Sequence, residues 1–258
     1  MFGQGESFPP GLFAPGLLWA ALRLFSADVA VPGSVSGRPL GRFFQEWIYG
    51  ELYPTYRVTF TSQPAGDGSA TPLTYFEYGT LCALWLFQRS KLDLVILEVG
   101  LGGRLDAVNI VDPDVAVITT VDLDHQDWLG NDREAIGREK AGIVRAWKPL
   151  VLGEDDPPAS ALRDAYAVGA SAIRANCDFF FERLPFAGNQ EPRWRWREVG
   201  WEVELPLPRL LAPAQLRNAA TAIAAVRALR TPMPKVAIAQ GIATAQVRGR
   251  LQRIERSG

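Results

Sequence analysis

LDLVILEVGLGGRLDAVN, residues 92–109, carries the strongest fold signal in the chain. Residues 94–99 form a short apolar run that is rich in β-branched side chains and interrupted only by Glu98. Such a run is typical of a parallel strand that is covered on both faces. The glycines at 100, 102 and 103 then release the backbone into a tight loop. Because ligands of open α/β sheets collect at the carboxyl ends of strands, Glu98 is a candidate for chemistry. A strand-end glutamate that turns to solvent is the alternative that this segment leaves open.

The surrounding sequence predicts further strands and helices of an α/β domain. Residues 114–121 and 149–152 are short apolar runs and predict two more buried strands. Asn131 can cap a helix, with Glu134 completing a capping box, and this helix is expected to end near Val144. Other predicted helices span residues 74–88, which are apolar on nearly every face and therefore predict a buried helix, and residues 161–170, 214–230 and 235–246.

The segment RWRWREVGW, residues 193–201, alternates basic and aromatic side chains. Basic residues interleaved with aromatic ones occur in proteins that bind single-stranded nucleic acid. A period of two is also typical of a hairpin strand, and we favour this interpretation. It predicts that Trp194 and Trp196 are buried while Arg193, Arg195 and Arg197 face water.

The composition excludes several broad classes of protein. Of the 258 residues, 48% are hydrophobic and 21% are charged, which is an ordinary globular balance. A net charge of −1 gives no electrostatic reason to expect nucleic acid or an acidic membrane as a partner. Cys82 and Cys177 are too few and too far apart for a disulfide framework, and no apolar run is long enough to cross a bilayer. We therefore expect a cytoplasmic protein.

His125 is the only histidine of the chain, and it lies among Asp122, Asp124 and Asp127 just after a predicted strand. A histidine flanked by acids in this position favours metal binding or proton transfer over a structural role. With Glu98 it would supply two ligands from neighbouring strand ends, and carboxylates favour a hard ion such as Mg²⁺. Lys140 follows on the next helix, and composition alone favours a solvated lysine there.

Five segments stand in order along the chain: LTYFE (73–77), LEVGLGGRLDAVN (97–109), DLDHQDWLG (122–130), GREKAGIV (137–144) and GRLQ (249–252). They resemble successive motifs of the bifunctional dihydrofolate synthase/folylpolyglutamate synthase family, a branch of the Mur ligases. Five motifs in register are far more specific than any one of them. The resemblance implies an α/β fold: a Mur-ligase-type central ATPase domain, residues 71–248, with a mostly parallel sheet flanked by helices.

The resemblance also implies roles for individual residues. Glu98 and His125 would be Mg²⁺ ligands, and Lys140 would be carbamylated, which turns an ammonium into an anionic oxygen ligand. These three residues would form the catalytic centre. Asn218 and Arg250 would contact ATP, for which the planar fork of an arginine is well suited. The binding site for the pterin-bearing substrate would be lined by Thr74, Tyr75, Phe76, Glu77, Leu105, Asp106 and Ala107.

The reaction that the resemblance implies is an ATP-dependent amide ligation. ATP would phosphorylate the carboxylate of dihydropteroate or of a folate, while Mg²⁺ and cationic side chains neutralise the charge of the transferred group. The amine of L-glutamate would then attack the acyl phosphate. Direct condensation would leave hydroxide as the leaving group, which explains the need for ATP. The resemblance also implies a monomer.

The sequence departs from the family pattern at the phosphate-binding loop. Family members carry a phosphate-binding loop of the GxxxxGK[ST] type, and no such pattern occurs in this chain. Residues 1–70 are expected to be irregular and of different origin, and residues 249–258 to begin a connection to a C-terminal Rossmann-like domain that is absent. We therefore predict little or no ligase activity for the isolated chain.

Two other functions remain open at this point. The chain could be an inactive fragment or a binding module that retains the pterin-side surface. It could also be a dinucleotide-binding domain built on the loop after Val99, but Gly100, Gly102 and Gly103 do not make the pattern GxGxxG.

Overall fold

The computed structural model describes residues 74–90, 92–123, 129–185, 191–209, 212–229 and 233–245. The chain divides into two compact units. The described part of one unit consists of residues 74–90 and 92–98, and the described part of the other begins at Val99. The predicted roles of His125 and Arg250 fall on residues outside the described ranges.

Helix α1, Tyr75–Arg89, lies in the described part of the first unit, and it confirms the helix predicted for residues 74–88. Thr74 caps it, with Glu77 reaching back to the Thr74 backbone in a capping box. The prediction of a buried helix is wrong within the described residues, because Leu81 is 44% exposed and Trp85 is 43% exposed. The guanidinium of Arg89 lies 3.8 Å from the Trp85 ring centroid and covers part of its face.

The strand predicted for residues 94–99 is not formed. This stretch has no strand assignment, and Leu94 and Val95 are each 40% exposed. A strand requires hydrogen bonds from a neighbouring strand, and an apolar run supplies only the side chains that would cover such a sheet. The prediction of a buried strand is therefore wrong for this stretch.

A parallel sheet forms the centre of the second unit. Its strands are β1, Ala116–Ile118, β2, Pro149–Leu152, and β3, Ser171–Arg174, in the order β1-β2-β3. Both pairs are parallel, with Ala116 opposite Leu150 and Leu150 opposite Ala172. Two of the predicted strands, 114–121 and 149–152, are thus confirmed, the first in a shorter form. The carboxyl ends of all three strands meet at one edge of this sheet.

Helices α2, Arg133–Ala141, and α3, Ala159–Ala167, connect these strands. Ile136 of α2 and Ala165 of α3 are buried in one core cluster with Leu150 and Leu152. The predicted capping box at Asn131 and Glu134 is wrong. Asp132 caps α2 instead, accepting from the Ala135 N–H at 2.7 Å, and Glu134 turns to the next helix. Helix α2 also ends three residues before Val144.

The second sheet of this unit is antiparallel, with the order β4-β5-β6. The hairpin predicted from residues 193–201 is confirmed, because Trp194 and Trp196 are completely buried and strands β5 and β6 pair through a turn at Val199 and Gly200. Strand β4 was not predicted. The bounds are Phe179–Arg183 for β4, Arg193–Glu198 for β5 and Trp201–Pro206 for β6.

Helices α4, Ala214–Ala228, and α5, Lys235–Thr244, complete the described part of the unit and confirm two predicted helices. The indole N–H of Trp196 donates to the Ala220 carbonyl of α4 at 3.0 Å, so α4 packs on the antiparallel sheet. Val151 of β2 belongs to the same core cluster, so α4 also adjoins the parallel sheet. Among the described residues, no helix has both the length and the apolar character needed to span a bilayer.

Candidate functional site

The loop that follows the glycines is organised by Asp106. One carboxylate oxygen accepts from the backbone N–H groups of Gly100, at 2.9 Å, and Leu101, at 3.3 Å. The other accepts from Val108 N–H at 2.9 Å and caps a short 3₁₀ turn, Ala107–Ile110. Both oxygens of Asp106 are therefore committed to the loop itself, which explains why an Asx-type residue stands there.

This loop is locked onto the carboxyl-terminal end of α2. The Arg104 N–H donates to the Glu139 carbonyl at 2.9 Å, and the Arg104 side chain pairs with the Glu139 carboxylate at 3.0 Å. A Cβ at Gly103 would lie only 2.9 Å from the Glu139 carbonyl oxygen and 3.0 Å from that of Lys140. The loop thus approaches α2 at a distance that only glycine permits.

Asn109 makes further contacts between this loop and the end of α2. Its amide nitrogen donates to the carbonyls of Arg104, at 3.1 Å, and Gly142, at 3.0 Å, while its amide oxygen accepts from Arg145 at 3.0 Å. Arg145 also bonds the Asn109 carbonyl at 2.7 Å and pairs with Asp112. These contacts satisfy the last carbonyls of α2 and fix the loop on them.

The predicted substrate residues of this loop differ in exposure. Leu105 is 80% exposed, whereas Asp106 and Ala107 are half-buried. Lys140 is half-buried on α2, next to the Glu139 that anchors Arg104. The structure therefore joins residues 105–107 and the Lys140-bearing end of α2 in one rigid substructure.

A buried carboxylate lies at the carboxyl edge of the parallel sheet. Glu154, two residues after β2, accepts from Val121 N–H at 3.2 Å and pairs with Arg133 at 2.8 Å. Arg133 in turn donates to the Val121 carbonyl at 2.9 Å, closing a ring around the backbone of Val121. Burial raises the pKa of the Glu154 carboxyl, although Arg133 and the Val121 N–H act in the opposite direction.

Asn218, the predicted nucleotide contact, lies near the amino-terminal end of α4 and is exposed. Its amide nitrogen is 3.4 Å from the Gln215 side-chain oxygen, which is a long contact. The preceding residue, Arg217, pairs with Asp155 at 2.9 Å, and Asp155 follows Glu154 after β2. The amino-terminal end of α4 therefore lies at the carboxyl edge of the parallel sheet, as expected for a ligand-binding element.

The other predicted site residues belong to the first unit. Glu77 accepts from the Thr74 N–H at 2.7 Å and hydroxyl at 2.8 Å, and the Thr74 backbone bond in particular lowers the pKa of the Glu77 carboxyl. Thr74 and Glu77 thus cap the amino-terminal end of α1, whose first helical residue is Tyr75. Phe76 is half-buried and Glu98 is exposed. Within the described residues, no three acid, histidine or cysteine side chains are grouped to hold a metal ion.

The sequence model of the protein family 'Mur ligase middle domain' matches residues 46–226 of this chain. The chain belongs to the Mur ligase middle-domain family. The curated dihydrofolate synthase/folylpolyglutamate synthase of Escherichia coli is 50% identical to this Mur ligase domain over 186 residues, which are 72% of the chain and 42% of that protein. The chain therefore spans less than half the length of this relative.

Solved structures of the same family agree with the fold of this Mur ligase domain. E. coli FolC in complex with DHPP and ADP matches with a TM-score of 0.64 at 48% identity, covering 74% of the chain and 43% of FolC. A bifunctional folylpolyglutamate synthase/dihydrofolate synthase with Mn, AMPPNP and L-glutamate bound matches with a TM-score of 0.63 at 49% identity, with the same coverage.

Sequence reasoning missed Glu154 and Asp155 of this Mur ligase domain. The signal is present in the sequence, because three acids, Glu154, Asp155 and Asp156, begin one residue after the predicted strand 149–152, just as Glu98 ends the run 94–99. The structure shows that Glu154 is the buried one, with 6% exposure, whereas Glu98 is exposed.

Proposed function

We propose that this chain is the central domain of an ATP-dependent amide ligase that adds L-glutamate to dihydropteroate or to a folate. The support is the substructure in which the exposed Leu105 and the Lys140-bearing end of α2 are fixed together through Arg104 and Glu139. Relatives of 48–50% identity carry the corresponding name, and their structures bind ADP, AMPPNP, Mn and L-glutamate.

In this proposal the reaction proceeds in two steps. The substrate carboxylate attacks the γ-phosphorus of ATP, forming an acyl phosphate and releasing ADP. The amine of L-glutamate, after its ammonium form has lost a proton to solvent, then attacks the acyl carbon. Phosphate leaves, and the remaining excess proton on the nitrogen also passes to solvent. The apolar and exposed Leu105 would contact the pterin ring, with Ala107 beside it. Asp106 would act through the loop, because both of its oxygens are engaged there.

The proposed metal is Mg²⁺, held by Glu98, His125 and carbamylated Lys140, with ATP contacted by Asn218 and Arg250. When bound, the ion would neutralise the charge of the transferred phosphoryl group. Lys140 suits this role because it is half-buried, and an anionic carbamate oxygen is better tolerated near a bound cation than an ammonium. The binding site for the pterin ring would be completed by Thr74, Tyr75, Phe76 and Glu77.

The dinucleotide alternative finds no support in the local structure. A dinucleotide loop opens a helix whose N-terminus faces the pyrophosphate. Here the loop after Val99 leads into the 3₁₀ turn Ala107–Ile110 and is packed on the end of α2. A binding module without catalysis is not favoured either, because the relatives described above are synthases. We further infer a cytoplasmic monomer, without nucleic acid or membrane as partner.

The experiment that tests the proposal is a titration of the purified chain with dihydropteroate, followed by ligand fluorescence. Leu105→Asp should weaken binding by about ten-fold or more, since an exposed apolar contact is replaced by a charge that must be desolvated. Leu105 is 80% exposed, so the variant should keep its fold.

Val199→Asp is the matched control, because Val199 is 99% exposed at the turn between β5 and β6. It should leave the affinity for dihydropteroate unchanged. Absence of binding by the wild-type chain, or an equal loss in both variants, would contradict the proposal.

A further inference from the structure

We propose that Asp155 is a positioning residue of the nucleotide site, which holds the amino-terminal end of α4, and with it Asn218, at the carboxyl edge of the parallel sheet. The inference rests on the proposed contact of Asn218 with ATP. It adds a residue that would act on the nucleotide only through its neighbours.

The Asp155 carboxylate joins three elements. One oxygen accepts from Arg217 of α4 at 2.9 Å, and the other accepts from the Asn176 amide at 2.7 Å. Asp155 itself lies three residues after β2, and Asn176 lies two residues after β3. Because each oxygen has its own donor, the carboxylate cannot turn without losing one of the two contacts.

The Asn176 donor is held in place by its own turn. Its φ is +56°, in the left-handed region that asparagine tolerates better than most residues. Its N–H donates to the Phe179 carbonyl at 2.8 Å, closing the turn between β3 and β4. The amide that meets Asp155 therefore comes from a fixed backbone.

Helix α4 approaches the sheet closely beside this carboxylate. A Cβ at Gly153 would lie 2.6 Å from the Thr221 hydroxyl and 2.8 Å from the Thr119 carbonyl oxygen. The Thr221 hydroxyl donates to the Arg217 carbonyl at 2.9 Å, one turn back along α4. Close packing at Gly153 and the ion pair at Asp155 together fix both the depth and the rotation of α4.

The position of Asn218 depends on the contacts that hold this end of α4. Asn218 directly follows Arg217, so it projects about 100° farther round the helix and remains exposed at the same end of α4. If the Arg217 tie is lost, the end of the helix can fray or rotate, and the Asn218 amide moves with it. A nucleotide contact through Asn218 would then be weakened although Asp155 never touches the ligand.

The test is a double-mutant cycle on the full chain, with Mg²⁺-ATP affinity measured by calorimetry. Asp155→Ala should weaken binding by about five-fold, the factor that corresponds to loss of one exposed ion pair. In an Asn218→Ala background the same substitution should change the affinity by less than about two-fold, since residues that act through one another are not additive. Equal losses in both backgrounds would overturn the inference.

Glu204→Ala provides the matched control. The pair Arg195–Glu204 has side-chain exposures of 34% and 45% at 2.7 Å, against 36% and 49% at 2.9 Å for Arg217–Asp155. It joins two strands of the antiparallel sheet, so its loss should leave ATP affinity unchanged. A loss equal to that of Asp155→Ala would mean that general destabilisation explains both.

Hydrogen exchange gives a second readout that does not require ATP. The amides of residues 218–222, which bond to the first carbonyls of α4, should exchange several-fold faster in Asp155→Ala than in Glu204→Ala. Unchanged exchange there would overturn the inference by itself. A wild-type chain that shows no ATP binding would instead contradict the proposed function, while the exchange rates still decide the role of Asp155.

Discussion

Glu134 belongs to α2 but stabilises the helix that follows. Its carboxylate accepts from the N–H groups of Ala159, at 2.9 Å, and Ser160, at 2.7 Å, which are the first residues of α3. Helix α3 begins after Pro158, which offers no capping side chain, so Glu134 supplies the missing cap from another helix. The Ser160 backbone bond in particular lowers the pKa of the Glu134 carboxyl.

This lowered pKa predicts a stability difference that depends on pH. A carboxyl group whose pKa is lower in the folded state stabilises that state above the unfolded pKa of 4.5, and this contribution is lost as the pH falls through the folded pKa. Glu134→Gln should therefore lower the melting temperature at pH 7 and have a much smaller effect near pH 3. Thermal unfolding at the two pH values measures the difference.

Thr244→Val is the control for this prediction. It removes the bond from the Thr244 hydroxyl to the Gln240 carbonyl, 2.8 Å long, which involves no titrating group. Its effect on the melting temperature should be similar at both pH values. A Glu134→Gln effect that is equally large at pH 3 would show that the carboxylate charge is not responsible.

Single residues also show what the sequence could and could not predict. Glu134 was correctly identified as a capping acid, but for the wrong helix, because a carboxylate that points backward along α2 and one that points to α3 have the same sequence pattern. Asp106 is predicted to line the substrate site, and the structure adds that both of its oxygens accept from backbone N–H groups of its own loop. Such partners depend on how the loop folds back, which spacing alone does not encode.

The contact between the glycine loop and α2 is the element-scale feature on which the proposed site depends. Gly103→Ala would place a Cβ 2.9 Å from the Glu139 carbonyl oxygen, so loop and helix must separate. We expect a loss of about 1–3 kcal/mol in the free energy of unfolding, the usual range for a strained substitution. Dihydropteroate binding should weaken as well, and urea denaturation and the fluorescence titration measure the two effects.

Gly241→Ala is the matched control in helix α5. A Cβ there meets nothing within 4 Å, so alanine should be neutral or stabilise the chain by up to about 1 kcal/mol through its higher helix propensity. If Gly103→Ala behaved like Gly241→Ala, the loop would not be held against α2 as described.

Elements with a strong local pattern were predicted and those defined by distant partners were not. The alternation in residues 193–201 predicted the buried Trp194 and Trp196, because the period of two is set by the strand itself. The run 94–99 has equally apolar side chains, yet it forms no strand, since pairing depends on backbone partners from elsewhere. Strand β4 is not predicted because Phe179–Arg183 does not alternate apolar and polar side chains, and its apolar run is only three residues long.

At the scale of the whole chain, we predict little or no ligase turnover by the purified protein. The chain contains no GxxxxGK[ST] loop to hold the β- and γ-phosphates, although the loop that Asp106 organises is well formed. ADP release in the presence of ATP, Mg²⁺, dihydropteroate and L-glutamate should stay at background, with the E. coli relative assayed alongside as the active control. Turnover that requires ATP, Mg²⁺ and glutamate together would contradict this prediction.

The fold class could be predicted from the whole sequence because several motifs occurred in register, and the family match over residues 46–226 confirms it. The internal geometry of the site could not be predicted in the same way. The tie between Asp155 and Arg217 spans 62 positions, and that between Arg133 and Glu154 spans 21. Only the assembled sheet brings such pairs together, so their partners are visible in the structure alone.

The bond between Arg104 and Glu139 closes a segment of 35 positions that includes β1 and most of α2. Closing a segment of this length costs conformational entropy before the contact between its ends can offset it. The loop bearing Leu105 can therefore take its final shape only once β1 and α2 have come together. Under the proposed function, a refolding chain should gain dihydropteroate binding in step with global structure and not ahead of it.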